Sequence, residues 1–264
     1  MISMIRWQFD EEDARIIFLI KTMKRKYVED TLKEGTFCFN LPDAFHSATN
    51  LHAAQFDDKD SYATMKALDV THWPIISENE DGITYGEPKV FAKHAIAHEI
   101  STVSQHTPLC CFRKVLEEDF AACEGGSVFK LGKLVDRIKT EFGHDSYILI
   151  LRPGEMLKRM GKVSSYFAKS IHYGYKDWKY QDFLDKYEFE QTEMFQKRMD
   201  YAWQKEFRII LPADQSANRR ILHIGSIEDI AIAGDIEELR EGLLIADAAS
   251  PITSAVTKIK SNIG

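Results

Sequence analysis

Residues 197–211 read KRMDYAWQKEFRIIL, and the fold turns on how this stretch is divided. The spacing predicts a helix over 195–204 that runs straight into a strand, EFRIIL, over 206–211. Side chains alternate along a strand, so Phe207, Ile209 and Leu211 share one face while Glu206, Arg208 and Ile210 share the other. The apolar row belongs to a core. Glu206 and Arg208 then stand about 7 Å apart on the second face, joined by Gln204 if the extended backbone begins there. A carboxylate so placed is costly to bury alone. Two readings stay open: Glu206 is neutralised by Arg208, Lys197 or Lys205 at a helix-to-strand junction, or it is an acid presented in a cleft.

Working outward, RIIFLIKTM (15–23) reads as a strand and KRKYVEDTLKEG (24–35) as a helix that Gly35 ends in the left-handed conformation. TFCFN (36–40) is a second strand, and Pro42 turns the chain. From His46 to about Ser77 the sequence is polar and weakly periodic, which predicts a loop or helical excursion. ITYG (83–86), KVFAKHA (89–95) and PLCCFRKV (108–115) read as strands, the last apolar enough to be buried on both faces. In 130–143 the residues Leu131, Leu134, Val135, Ile138 and Phe142 follow a helical period, with Gly143 as the stop. DSYILILR (145–152) is a buried strand, Pro153 opens a helix, and KSIHYGY (169–175) is a short strand. ILHIG (221–225) and IEDIAIAG (227–234) are strands, and DIEELREGLL (235–244) a helix. The sum is one α+β domain over 1–250, built on a single mixed sheet, with a frayed tail at 251–264.

The 264 residues are 44% apolar and carry a formal net charge of −7. That composition excludes wholesale disorder and argues against the basic surface that non-specific nucleic-acid binding needs. Apolar runs such as YILIL (147–151) fall far short of the roughly 20 residues that cross a bilayer, and the acidic start MISMIRWQFDEED does not read as a signal peptide. The expectation is a cytoplasmic protein without membrane partners. Cys38, Cys110, Cys111 and Cys123 form no C-x-x-C pair and read as small buried hydrophobes, not as a disulfide framework.

Other patterns carry less chemistry. His94 and His98 have the i, i+4 spacing of metal ligands on a helix, but no third ligand completes a zincin motif, so no metal is expected. Adjacent Cys110 and Cys111 point to opposite strand faces and cannot chelate together. Asp200 with Glu206 and Arg208 departs from a nuclease pattern, because an arginine stands where a lysine is expected. In 173–189 aromatic residues alternate with lysines that Asp177, Asp182 and Asp185 offset. Neither a phosphate loop nor a Gly-x-Ser-x-Gly elbow occurs.

The spacing Lys197-x3-Tyr201-x2-Gln204-x-Glu206-x-Arg208 resembles the C-terminal signature of a bacterial and phage family of unknown function. The strand ending at Lys21 and the segment TFCFNLPDAFH, with Pro42 and Phe45, are similar to that family's N-terminal unit. The chain has His46, Ser47 and Ala48 where the family continues Asn-Asp-Pro.

Gln204-x-Glu206, late in a chain that opens strand, helix, strand, also resembles the Gln/Glu-x-Glu element of ADP-ribosyltransferases. No Ser-Thr-Ser element or second-strand tyrosine accompanies it. The resemblance implies an ADP-ribosyltransferase-like fold and a nucleotide ligand, with NAD as substrate and no tightly bound cofactor. Glu206 would contact the nicotinamide ribose, Gln204 would orient an acceptor such as a protein, and Arg208 or Lys197 would position Glu206. Lys21, Lys24 or Arg25 would hold phosphate, and Tyr27 or Phe39 would stack on a ring beside Lys197 and Tyr201. The alternative is a non-catalytic module that captures a nucleotide or a protein in the same cleft.

Overall fold

The computed structural model describes residues 13–42, 63–72, 75–79, 82–85, 87, 89–99, 105–123, 126–173, 192–197, 199–214, 219–246 and 256–258. The chain passes through β1 (Phe18–Met23), α1 (Val28–Glu34), β2 (Thr36–Asn40), β3 (Ala63–His72), β4 (Ile75–Asn79), β5 (Gly82–Tyr85) and β6 (Lys89–Glu99). It continues through β7 (Leu109–Val115), β8 (Phe120–Cys123), β9 (Gly126–Phe129), α2 (Leu134–Phe142), β10 (Ser146–Ile150), α3 (Pro153–Val163), β11 (Phe167–Ser170) and β12 (His172–Tyr173). The last elements are β13 (Gln196–Lys197), β14 (Glu206–Ile210), β15 (Arg219–His223), β16 (Ala231–Asp235), α4 (Glu238–Glu241), β17 (Leu243–Ala246) and β18 (Val256–Lys258).

An eight-stranded sheet organises the chain in the order β11-β14-β7-β1-β10-β16, with β2 and β15 branching from β7. Each of its pairings is antiparallel. The expected α+β class is therefore correct, while the expected mixed sheet is corrected to an antiparallel one. The parallel pair among the described residues is the short β12–β13 ladder outside this sheet. A second sheet runs β18-β17-β9-β8, and β3–β6 and β4–β5 are separate antiparallel pairs.

Both faces of the large sheet are covered, which explains why its central strands read as nearly continuous apolar runs. On one face Leu19, Cys110, Phe112, Ile148, Ile150, Phe207 and Ile209 pack with Phe37 and Phe39 and with Met156, Leu157 and Met160 of α3. On the other, Phe18, Ile20, Val115, Tyr147 and Leu149 meet Val135 and Ile138 of α2, Leu239 of α4, and Phe129 and Leu243 of the second sheet. A smaller cluster on that face joins Leu109 and Ile210 to Ile171, Met194 and Phe195.

Local signals hold at the helix ends. Gly35 closes α1 at φ 58°, and a Cβ there would strike the Gly225 carbonyl, so the left-handed turn and a close backbone approach both call for glycine. Pro153 stands at the start of α3.

Five expectations are corrected. The stretch expected to be a loop or helical excursion contains β3 and β4; β3 is completed by β6, further along the chain, so local periodicity does not register it. The helix expected over 195–204 is instead two 3-10 segments, Thr192–Phe195 and Met199–Gln204, on either side of β13. Pairing of Gln196–Lys197 with His172–Tyr173 draws the backbone out of a helix, and Lys205 at φ 44° ends the second segment. The helix expected over 235–244 shortens to α4, because Leu243–Ala246 pairs with β9 as a strand. Within the expected frayed tail, Val256–Lys258 pairs with β17, and the rest of 251–264 lies outside the described residues. Cys123 is exposed, against the expectation of burial. His94 and His98 fall in a strand, so helical ligand geometry does not arise there.

Candidate functional site

The site begins with a fork in the sheet. β14 pairs along β7 from Leu109 to Arg113. On the opposite side β1 pairs only with Arg113–Val115, and β2 only with Leu109. Between them the strands splay, and among the described residues Cys111 has no strand partner on that side. Lys21 supplies a substitute: its Nζ donates to the Cys111 carbonyl at 3.0 Å and lies 5.1 Å from the centre of the Phe112 ring.

A cavity of about 340 Å³ opens at this fork. Its wall takes Ile20, Cys111, Arg113 and Glu206 from one face of the sheet, and Lys21, Met23 and Phe112 from the strand positions of the other. Burial pushes the thiols of Cys110 and Cys111 up, that of Cys111 well above its ordinary value, so both are neutral at physiological pH and are poor nucleophiles.

Glu206 reaches the cavity from the start of β14 while only 4% exposed, and Arg208 beside it is 0% exposed. Arg208 grips one carboxylate oxygen through Nε and Nη2, both at 2.7 Å, and its Nη1 donates to the Met194 carbonyl at 2.7 Å. Lys197 donates to the other oxygen at 3.2 Å and lies 5.0 Å from the centre of the Tyr201 ring. The backbone N–H of Glu206 donates to the Tyr173 hydroxyl at 2.7 Å. A buried acid held by two cations satisfies the electrostatic demand raised by the sequence, and it still lines a cavity. Of the two open readings the pairing is the one observed: Lys197 and Arg208 neutralise Glu206, which is buried and not solvated.

Beyond Glu206 the wall becomes aromatic. Arg113 stands opposite Glu206 in the β7–β14 register, and its Nη1 donates to the Trp203 carbonyl at 2.6 Å. Trp203 lies under the Arg137 guanidinium at 4.0 Å and tilts against Phe142 at 5.9 Å. Phe142 stacks on His144 at 5.6 Å and 16°, and His144 Nδ1 shares a hydrogen bond with the Thr22 hydroxyl at 2.8 Å. Among the described residues, the buried Arg113 Nε and Trp203 Nε1 find no hydrogen-bond acceptor.

Among the residues singled out from sequence, Lys21, Tyr27, Lys197, Gln204 and Glu206 line this one cavity, although Lys21 and Glu206 come from opposite ends of the chain. Arg208 lies behind Glu206, and Tyr201 beside Lys197. Three placements are corrected. Phe39 is 0% exposed in the core and cannot stack on a ligand. Arg25 turns outward to Asp235 at 2.7 Å, and Lys24 is exposed away from the cavity wall. Sequence reasoning missed Arg113, Trp203, Phe142 and His144. A signal existed for Arg113, a charged residue inside the apolar strand LCCFRKV; the others depend on which loops meet at the fork.

No family model, curated protein or solved structure matches the chain significantly. Among the described residues, no group of histidine, cysteine or acidic side chains could hold a metal ion, and no helix is long and apolar enough to cross a membrane.

Proposed function

We propose that the chain binds a nucleotide, NAD being the first candidate, in the slot between β1 and β2. The observation that carries this reading is that Lys21, Gln204 and Glu206 line one cavity of about 340 Å³, a size within the roughly 300–1,000 Å³ of small-molecule sites. Its wall pairs aromatic surface with a few polar groups, as a heterocycle bearing a ribose and a phosphate requires. The ADP-ribosyltransferase resemblance supplies the prior for NAD and for an architecture of that kind.

A catalytic form of this reading is favoured by one further observation, that Gln204 and Glu206 stand together on the wall. Breaking an N-glycosidic bond builds positive charge on the ribose, and a fixed carboxylate beside that charge is worth more in the transition state than in the ground state. Glu206 would fill this role, with Lys197 and Arg208 as its positioning residues and Gln204 orienting water or a protein acceptor. The same two cations offset part of the field of Glu206, which favours binding without rapid turnover.

The test is to incubate purified protein with NAD, follow nicotinamide release by chromatography, and melt the protein against a nucleotide panel. A ligand held only by the native state raises the melting temperature by mass action. Unchanged melting curves throughout the panel would remove the nucleotide reading. Melting shifts with no nicotinamide release, equal in wild type and Glu206→Gln, would leave a binding module and remove the enzyme.

A further inference from the structure

Among the described residues, Lys21 is a cation on the slot wall with no ion-pair partner. It is half-buried, and its ammonium meets the neutral carbonyl of Cys111 and the face of Phe112. The cysteines grouped around it, Cys38, Cys110 and Cys111, also line the cavity. Among the described residues no carboxylate lies within ion-pair distance of it. Lys197 and Arg208 share Glu206, and Lys205 pairs with Asp119 at 2.5 Å, while Arg113 donates to the Trp203 carbonyl. An ammonium taken partly out of water and given only dipoles and a ring face is incompletely compensated, and an anion restores the balance.

The remaining polar groups on the wall point the same way. Among the described residues Glu206 is the one carboxylate on the wall, and with Lys197 and Arg208 it forms a cluster of formal charge +1. Adding Lys21 and Arg113 gives the slot a net positive charge in a chain of net charge −7, so the sign is a property of the site and not of the composition. Thr22, Tyr27, Asn40, Gln204 and His144 complete the polar lining. An aromatic wall at Phe142, His144 and Trp203 stands beside these polar groups.

We propose that the slot takes one mononucleotide unit, with its phosphate on Lys21 and its base against the aromatic wall. This rests on the nucleotide reading above and narrows it. A phosphate supplies the missing anion, and the base lies on the aromatic wall. The volume of about 340 Å³ lies at the small end of ligand sites, so a dinucleotide such as NAD enters by one half. Lys21 is then the residue that separates a nucleotide from its nucleoside.

The experiment is calorimetric titration of the full chain with AMP, GMP, CMP, UMP and nicotinamide mononucleotide, with the matching nucleosides, NAD and orthophosphate, at low and high salt. At least one mononucleotide is expected to bind about ten- to a hundredfold more tightly than its nucleoside, the worth of a charge-assisted contact, and high salt should narrow the gap. In Lys21→Met the gap closes while nucleoside affinity holds; Lys21→Arg retains much of it. Lys21→Gln keeps a donor for the Cys111 carbonyl and serves if the methionine variant does not fold. Equal binding of nucleoside and nucleotide, an undiminished gap in Lys21→Gln, or orthophosphate binding as tightly as every nucleotide would overturn the proposal and leave nucleotide binding standing or reduced to anion binding. Silence from every nucleoside, nucleotide and NAD would instead overturn the parent reading.

Discussion

Replacing Glu206 by glutamine keeps the shape of the side chain and removes the charge that Lys197 and Arg208 share. The three side chains are 5%, 6% and 0% exposed respectively, so water cannot take over the lost role. The glutamine oxygen can still accept from Arg208, but its amide NH₂ then faces the Lys197 ammonium, donor against donor. Two positive charges remain in one buried space. Breaking a buried pair by removing one partner costs about 3–5 kcal/mol. In a chain of this size each kcal/mol shifts the melting temperature by about 2–4 °C, so Glu206→Gln should melt roughly 6–20 °C below wild type. Urea unfolding monitored by circular dichroism gives the free energy directly. The added variant Lys197→Met, which removes one of the stranded cations, should cost less in the Glu206→Gln background than in wild type, because the sites are coupled. A Glu206→Gln protein within about 1 kcal/mol of wild type, or strictly additive costs in the double variant, would refute the description of this cluster as a mutually compensating triad.

Other outcomes follow from the same structure. Gly35→Ala forces a Cβ into the left-handed conformation and against the Gly225 carbonyl, and chemical denaturation should register a loss above about 1 kcal/mol. Hydrogen bonds from Arg240 to Asp136, from Arg159 to Asp229, and from Arg240 and Lys139 to Glu237 hold these carboxyls below their usual range. Groups depressed in the folded state contribute stability that is full above the unfolded carboxylate values of about 4 and is lost as pH falls through the folded ones, so acid titration should show stability declining below about pH 4. Native-state alkylation read by mass spectrometry should label exposed Cys123 well before Cys110, which is buried and whose thiol burial pushes up; prior labelling of Cys110 would contradict the closed core.

Much of the fold was legible because it rests on local rules. Gly35 and Gly143 end helices in left-handed geometry where the sequence placed them, and the strands carrying PLCCFRKV and YILIL are the buried centre that continuous apolar runs imply. The stretch 195–204 was misread because aromatic and polar residues at helical spacing suit an α-helix, whereas a partner strand at His172–Tyr173 settles the backbone. β3 was misread for the same reason, its partner lying beyond β4 and β5.

The candidate site divides along the same line. Alternation along β14 by itself set Glu206 and Arg208 on one face and posed the choice between a paired acid and one in a cleft, because strand period and the cost of a lone buried charge are properties of the chain. Which cations answered, and that Lys21 lies on the same wall, depended on β1 and β2 leaving β7 at different residues. Such a fork is a matter of register between segments far apart in sequence, and no local pattern encodes the gap it opens or the aromatic wall beside it.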